Sequence, residues 1–331
     1  MGRMKIRKDY LYIGDGNDDT VKTFDAETGR FLGSFIAPGN NVLHGPRGLI
    51  FEHSDNLLAI NQNVDQPENG NVLKYDGNTG AFLGKLVRSD AEGAPFAPRG
   101  IVLSKNNILY VADIIDPATG QGEVRTYNGR TGAFLGNLDH SGFKEPFNPR
   151  GVVFGPDGLL YVSVFDINNP LKGWVLRFDP KKKKFLDVFI KSDDVNNLHR
   201  PEGLVFSPKG NLYITSFRRD ASDTDKILIF DGDTGKFLDK IDLDVIGQPR
   251  AFAQALLFGP DGKLFVPITG DGSDTGSVRR YNVHHHHKTY DVFVPPTSSG
   301  GPLGEPWYLS FGNTNPATLA YRRDWDDDSC E

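Results

Sequence analysis

The 331-residue chain has a single cysteine, Cys330, so no internal disulfide can form, and thiol content leaves the compartment open. No apolar run is long enough to span a membrane, and none of signal-peptide length follows the basic start, Met1 to Lys8. Basic excess is also missing: 37 Lys and Arg against 43 Asp and Glu leave a net charge of −6, which gives nucleic acid no electrostatic footprint. There is no Gly-x-Ser-x-Gly elbow and no glycine-rich strand-to-helix loop, which argues against serine-hydrolase and nucleotide chemistry. The expectation is a soluble monomer with no nucleotide cofactor and no nucleic-acid or membrane partner.

What is abundant is turn chemistry, with 38 Gly and 21 Pro. Residues 149–165 show its use: Val152 to Phe154 and Leu159 to Val162 are apolar, and Gly155-Pro156-Asp157-Gly158 between them reads as a tight turn joining two strands. The start of this hairpin, Pro149-Arg150-Gly151, recurs as Pro46-Arg47-Gly48, Pro98-Arg99-Gly100, Pro201-Glu202-Gly203, a degenerate Ala253-Gln254-Ala255, and Pro306-Trp307-Tyr308. The middle residues are spaced by 52, 51, 52, 52 and 53. An aromatic that closes another strand keeps the same period at Phe24, Tyr75, Tyr127, Phe178, Phe230 and Tyr281, usually before Asp or Asn. Six copies of a four-strand unit without helical periodicity between them predict an all-β, six-bladed propeller of four-stranded antiparallel blades.

The hairpin resembles NHL-repeat propellers and their relatives, the SMP-30/gluconolactonase and streptogramin-lyase-like proteins, over almost the whole chain. The resemblance is specific for architecture, which hosts enzymes, binders and scaffolds alike. The SMP-30 and lactonase group holds a divalent metal in the channel, and Glu202 in Pro201-Glu202-Gly203-Leu204 is similar to its glutamate motif. The resemblance therefore implies a calcium or magnesium site at Glu202, with Asn61, Asp113 and Asp166 as co-ligands. The Glu-x-His pairing of the streptogramin lyases has no counterpart here.

The unbroken repeat argues for one domain, residues 1–323, followed by an acidic tail, 324–331. Tyr10-Leu11-Tyr12-Ile13 matches the second strand of a blade, so the first copy lacks its innermost strand, which Trp307 to Phe311 can supply. The termini then share one blade. Thr318 to Tyr321 competes with the N-terminal strand for the second place.

With strands a to d running outward from the channel, the a–b and c–d turns lie on one face and are short. The b–c and d–a loops on the other face vary, as in Asn61 to Gly70, Asp113 to Gly122, Phe165 to Gly173 and Phe217 to Asp225. Function is expected on that variable face. The residue after each marker proline rings the channel mouth there: Arg47, Arg99, Arg150, Glu202, Gln254 and Trp307. This ring would draw a small anion to the axis. The alternative is that its arginines pair with loop acids such as Asp15, Asp113 and Asp166.

A second layer three residues upstream reads His44, Phe96, Phe147, His199, Ala251 and Gly304, with His44 opposite His199 in a six-fold ring. Two imidazoles above Glu202 suit acid–base or metal chemistry, while a lone loop histidine more often only hydrogen-bonds. The runs Lys181 to Lys184 and His284 to His287 fall in c–d turns on the opposite face and read as solvated.

Three readings follow. The first is a propeller binding a small anionic ligand through Arg47, Arg99, Arg150, Gln254, Trp307, Phe96 and Phe147. The second is a metal-dependent hydrolase or lyase, in which His44, His199 and Glu202 converge on one cavity. The third is a scaffold presenting its loop face to another protein.

Overall fold

The computed structural model describes residues 9–322 apart from 40–41, 65, 67–68, 117–118 and 284–287. Six four-stranded antiparallel sheets form the blades of a propeller. Blade 1 contains β1 (Tyr10–Asp15), β2 (Thr20–Asp25) and β3 (Phe31–Ile36), and blade 2 contains β4 (Pro46–Phe51), β5 (Leu57–Asn61), β6 (Asn71–Tyr75) and β7 (Phe82–Val87). Blade 3 is β8 (Ala97–Leu103), β9 (Ile108–Asp116), β10 (Gln121–Asn128) and β11 (Phe134–Asn137). Blade 4 is β12 (Asn148–Phe154), β13 (Leu160–Asp166), β14 (Asn169–Asp179) and β15 (Lys184–Lys191). Blade 5 is β16 (Leu204–Phe206), β17 (Leu212–Ser216), β18 (Lys226–Phe230) and β19 (Phe237–Asp242). Blade 6 is β20 (Leu257–Phe258), β21 (Leu264–Ile268), β22 (Ser277–Asn282) and β23 (Thr289–Val294), and β24 (Pro306–Phe311) returns to blade 1.

Each repeated residue has a mechanical role. The aromatic that closes each c strand is buried between blades and packs on a ring from the adjacent d strand, as Phe24 on Phe31, Tyr75 on Phe82, Tyr127 on Phe134, Phe178 on Phe185, Phe230 on Phe237 and Tyr281 on Tyr290. Ring centroids lie 5.1–5.9 Å apart, within the range where such pairs add stability beyond burial. The Asp or Asn that follows folds the c–d turn: Asp76, for example, accepts the backbone N–H groups of Asn78 and Thr79, and Asn128 those of Arg130 and Thr131. In the a–b turns the corresponding residue is left-handed in five blades, at Asp55, Asn107, Gly158, Gly210 and Gly262, the residue types that tolerate positive φ.

At the axis the innermost strands approach closely because a glycine follows the ring residue. A Cβ on Gly100 would lie 2.7 Å from the carbonyl oxygen of Arg150, and one on Gly151 would lie 2.4 Å from that of Glu202. The ladder also breaks at this point in blades 2, 3 and 4, between Pro46 and Leu49, Pro98 and Ile101, and Pro149 and Val152. Arg47, Arg99 and Arg150 therefore sit in bulges, which re-aim side chains away from regular pairing.

Closure follows the first of the two expected routes. β1 takes the second place in blade 1, pairing Leu11 with Phe311 and Ile13 with Leu309 of β24. The Thr318 to Tyr321 segment does another job. Pro316 and Ala317 accept backbone N–H groups from Leu103 and Phe154, which end β8 and β12, and Leu319 packs against four of the hydrophobic clusters. The chain thus crosses the end of the channel away from the variable loops and plugs it. Among the described residues no helix is long and apolar enough to cross a membrane. The His284 to His287 run, residues 1–8 and the acidic tail with Cys330 lie outside the described residues.

Candidate functional site

All six ring residues line one cavity on the axis, of about 300 Å³, together with Arg200, Phe217, Phe252, Thr269, Asp271 and Glu305. Arg150 and Glu202 are only 5% and 2% exposed, so their charges interact through little water. Four guanidinium groups face the cavity against one buried carboxylate, Glu202, while Asp271 and Glu305 lie nearer the solvent.

Contacts within the ring are partial. Glu202 Oε1 lies 3.6 Å from Arg150 Nε, and Oε2 lies 4.0 Å from Arg99 Nη1. Gln254 Oε1 accepts from Nη1 of both Arg47 and Arg99, and Gln62 Oε1 accepts from Arg47 Nε at 3.0 Å. Arg47 also stacks on the Trp307 indole, 3.7 Å from its centroid, and Arg150 lies 4.8 Å from that of Phe165. Arg99 Nε, Arg150 Nε and Nη1, Arg200 Nε and Glu202 Oε2 are shielded from solvent without a hydrogen-bond partner.

Charge confinement is visible in the basicity of these groups. Burial, reinforced by the Arg99 charge, holds the Arg47 guanidinium well below its usual range. Arg150 is brought down to about 10, again by burial, with Glu202 opposing the shift and Arg99 and Arg200 adding to it. Arg150 stays cationic at neutral pH, and at depth Glu202 is the carboxylate that faces the arginines. Beneath the ring, Tyr308 has a buried hydroxyl without a partner, and burial pushes its pKa up to about 12. Tyr308 and Leu319 both line a small apolar cavity of about 40 Å³ formed by the glycines and leucines of the innermost strands.

The loop acids are engaged elsewhere. Asp15 pairs with Lys22 at 2.6 Å and accepts the N–H groups of Gly304 and Glu305. Asp113 pairs with Arg125 at 2.6 Å and accepts from Phe96 and Ala97. Asn61 accepts from the His44 backbone, Ser216 does the same for His199, and Asp166 accepts from Asn168. In four blades, then, a side chain at the end of strand b clamps the loop that delivers the ring residue. Among the described residues, Glu202 is the only carboxylate within 4.0 Å of Arg47, Arg99 or Arg150.

The second layer does not join the ring. His44 Nδ1 faces Asp19 Oδ2 at 3.3 Å, and His199 lies nearest in charge to Lys226, Asp223 and Arg219; neither histidine lines the cavity. Burial, with Lys226 next, lowers the pKa of His199. Phe147 is buried, stacked on His140 at 4.2 Å, and Phe96 is largely exposed; both are outside the cavity lining. Asn61, Asp113 and Asp166 also lie off the lining, and among the described residues no three His, Cys, Asp or Glu side chains are grouped to hold a metal.

Of the lining residues missed in the sequence, Phe217, Thr269 and Asp271 lie at the ends of b strands or just beyond, and the others fall in one column, two positions before the ring: Gly45, Ala97, Asn148, Arg200, Phe252 and Glu305. It is small or polar beside the three ring arginines and large in the other three blades, where Arg200, Phe252 and Glu305 complete the cavity wall. That contrast was readable from the aligned repeats.

No family model matches the chain, and no curated protein matches it. Solved structures share the fold. A hypothetical selenium-binding protein from Sulfolobus tokodaii is 12% identical with a TM-score of 0.62, over 97% of this chain and 82% of that one. A candidate 6-phosphogluconolactonase from Bacteroides uniformis is 16% identical with a TM-score of 0.55, over 86% and 82%. A candidate gluconolactonase is 15% identical with a TM-score of 0.51, over 78% and 85%. At these identities the likeness is one of fold: the chain is a six-bladed β-propeller with distant structural similarity to lactonase-like and other propellers.

Proposed function

We propose that the protein binds a small anionic ligand in the axial pocket on its variable-loop face. The observation that supports this reading is the set of four guanidinium groups around one cavity of about 300 Å³, balanced at depth only by Glu202. Arginines carried on a ring of strands stand around the cavity before an anion arrives, and several of their N–H groups have no acceptor within the protein. The cavity is also within the size range of small-molecule sites. Thermal-shift and calorimetric titration against a panel of small carboxylates, phosphates and sulfates at low ionic strength is the test: stabilisation that disappears in Arg150→Met supports the reading, and indifference to every anion contradicts it.

A second reading, a metal-dependent lactonase-like hydrolase of the NHL and SMP-30 kind, has one observation in its favour: Glu202 Oε2 is buried at the pocket without a hydrogen bond. The other expected ligands do not fit beside it, because Asn61, Asp113 and Asp166 bond to loop backbone. Elemental analysis of the protein purified without a nickel column decides between them. A stoichiometric calcium or magnesium ion lost in Glu202→Gln favours the hydrolase.

A further inference from the structure

The anion reading leaves open which anion, and three features of the same pocket narrow it. The first is the number and direction of donors. Arg99 Nε, Arg150 Nε and Nη1, and Arg200 Nε lack acceptors and come from blades 3, 4 and 5. Their parent residues line the cavity from three successive blades, so the guanidinium groups stand around the axis and not on one side of it. A carboxylate presents two oxygens in one plane, whereas a phosphoryl group presents three strong acceptor oxygens arranged around an axis.

The second feature is charge. Four guanidinium groups share the cavity with Glu202 at depth and with Asp271 and Glu305 nearer the solvent, so the positive excess sits at the buried end, where a ligand near −2 relieves more of the repulsion than a ligand of −1. The third is space. A cavity of about 300 Å³ holds about ten water volumes, and a bare oxyanion fills less than half of it. The remaining wall carries the rings of Trp307, Phe217 and Phe252, with Phe217 and Phe252 stacked at 4.8 Å. These surfaces suit a planar or apolar body attached to the anion.

We infer that the ligand is an organic phosphomonoester, its phosphoryl group among Arg99, Arg150 and Arg200 and its body against the aromatic wall; this rests on the anion-binding reading above. The test is calorimetric titration of the full chain at low ionic strength with phenyl phosphate, benzoate and inorganic phosphate. Phenyl phosphate is expected to bind more tightly than either of the others by about tenfold or more, the scale of one charge-assisted hydrogen bond. Benzoate binding as tightly overturns the phosphoryl assignment and leaves the anion reading standing. Inorganic phosphate binding as tightly overturns the organic body. No binding of any of the three removes the anion reading itself, and this inference with it. Arg200→Met, at a partly exposed position, is expected to keep the wild-type melting curve and to lose phenyl phosphate affinity by about tenfold while benzoate changes less. Equal loss for both ligands counts against the assignment.

Discussion

Glu202→Gln separates the anion site from a metal site by the sign of its effect. Glu202 is the one buried carboxylate of the ring, 3.6 Å from Arg150 and 4.0 Å from Arg99. At an effective dielectric of about 20 each pair is worth about 4 kcal/mol, against several kcal/mol for keeping the carboxylate out of water. Removing one member of such a group costs about 3–5 kcal/mol, because the remaining charges stay buried. At about 2 °C per kcal/mol for a chain of this length, the melting temperature should fall by about 6–10 °C in dilute buffer free of phosphate and sulfate. Small anions should then restore it, and should bind the variant about tenfold or more tightly than wild type, since they replace the lost carboxylate. Differential scanning calorimetry and titration calorimetry read both quantities. An unchanged melting temperature, or weaker anion binding, refutes the electrostatic argument, and loss of a bound divalent ion points to the hydrolase.

Tyr308→Phe should leave stability in chemical denaturation unchanged or slightly raised, because the deleted hydroxyl has no partner; a loss above about 2 kcal/mol would show that it has one. Gly16→Ala places a Cβ 2.3–2.4 Å from the Trp307 indole, so the ring must shift and its stack on Arg47 is disturbed. The expected readout is a change in tryptophan emission together with weaker anion binding; neither change would mean that the indole is not held by this contact. His199 has a folded pKa below its ordinary 6.5, so the unfolded chain binds more protons and stability falls as pH drops through that window. His199→Gln should flatten the slope of stability below pH 6.5 relative to wild type, and an identical slope rules this contribution out.

Architecture was legible because each repeated residue has a local cause. Phe24, Tyr75 and their counterparts meet the d strand, Asp76 and Asn128 fold turns, and Gly100 and Gly151 let innermost strands touch; each leaves a mark every 51–53 residues. The ring was legible for the same reason, since Arg47 through Trp307 occupy equivalent backbone positions and converge as the symmetry requires. Loop side chains were not. His44 and His199 share a register, but Asn61 and Ser216 hold their backbones, and Asp19 takes the His44 ring. Asp113 reads as a metal ligand in isolation and serves in the fold as a clamp on Phe96 and Ala97. Sequence order cannot show which acceptor a loop backbone chooses. The competition for closure goes to β1, which pairs with β24, while Leu319 packs against the hydrophobic clusters at the channel end.

The central claim is that an anion belongs on the propeller axis. Its most direct test is an anomalous difference map from crystals grown without phosphate or sulfate and soaked in bromide. The account predicts the strongest bromide site within the cavity formed by Arg47, Arg99, Arg150 and Arg200. Bromide confined to peripheral lysines and arginines, with none on the axis, would contradict it.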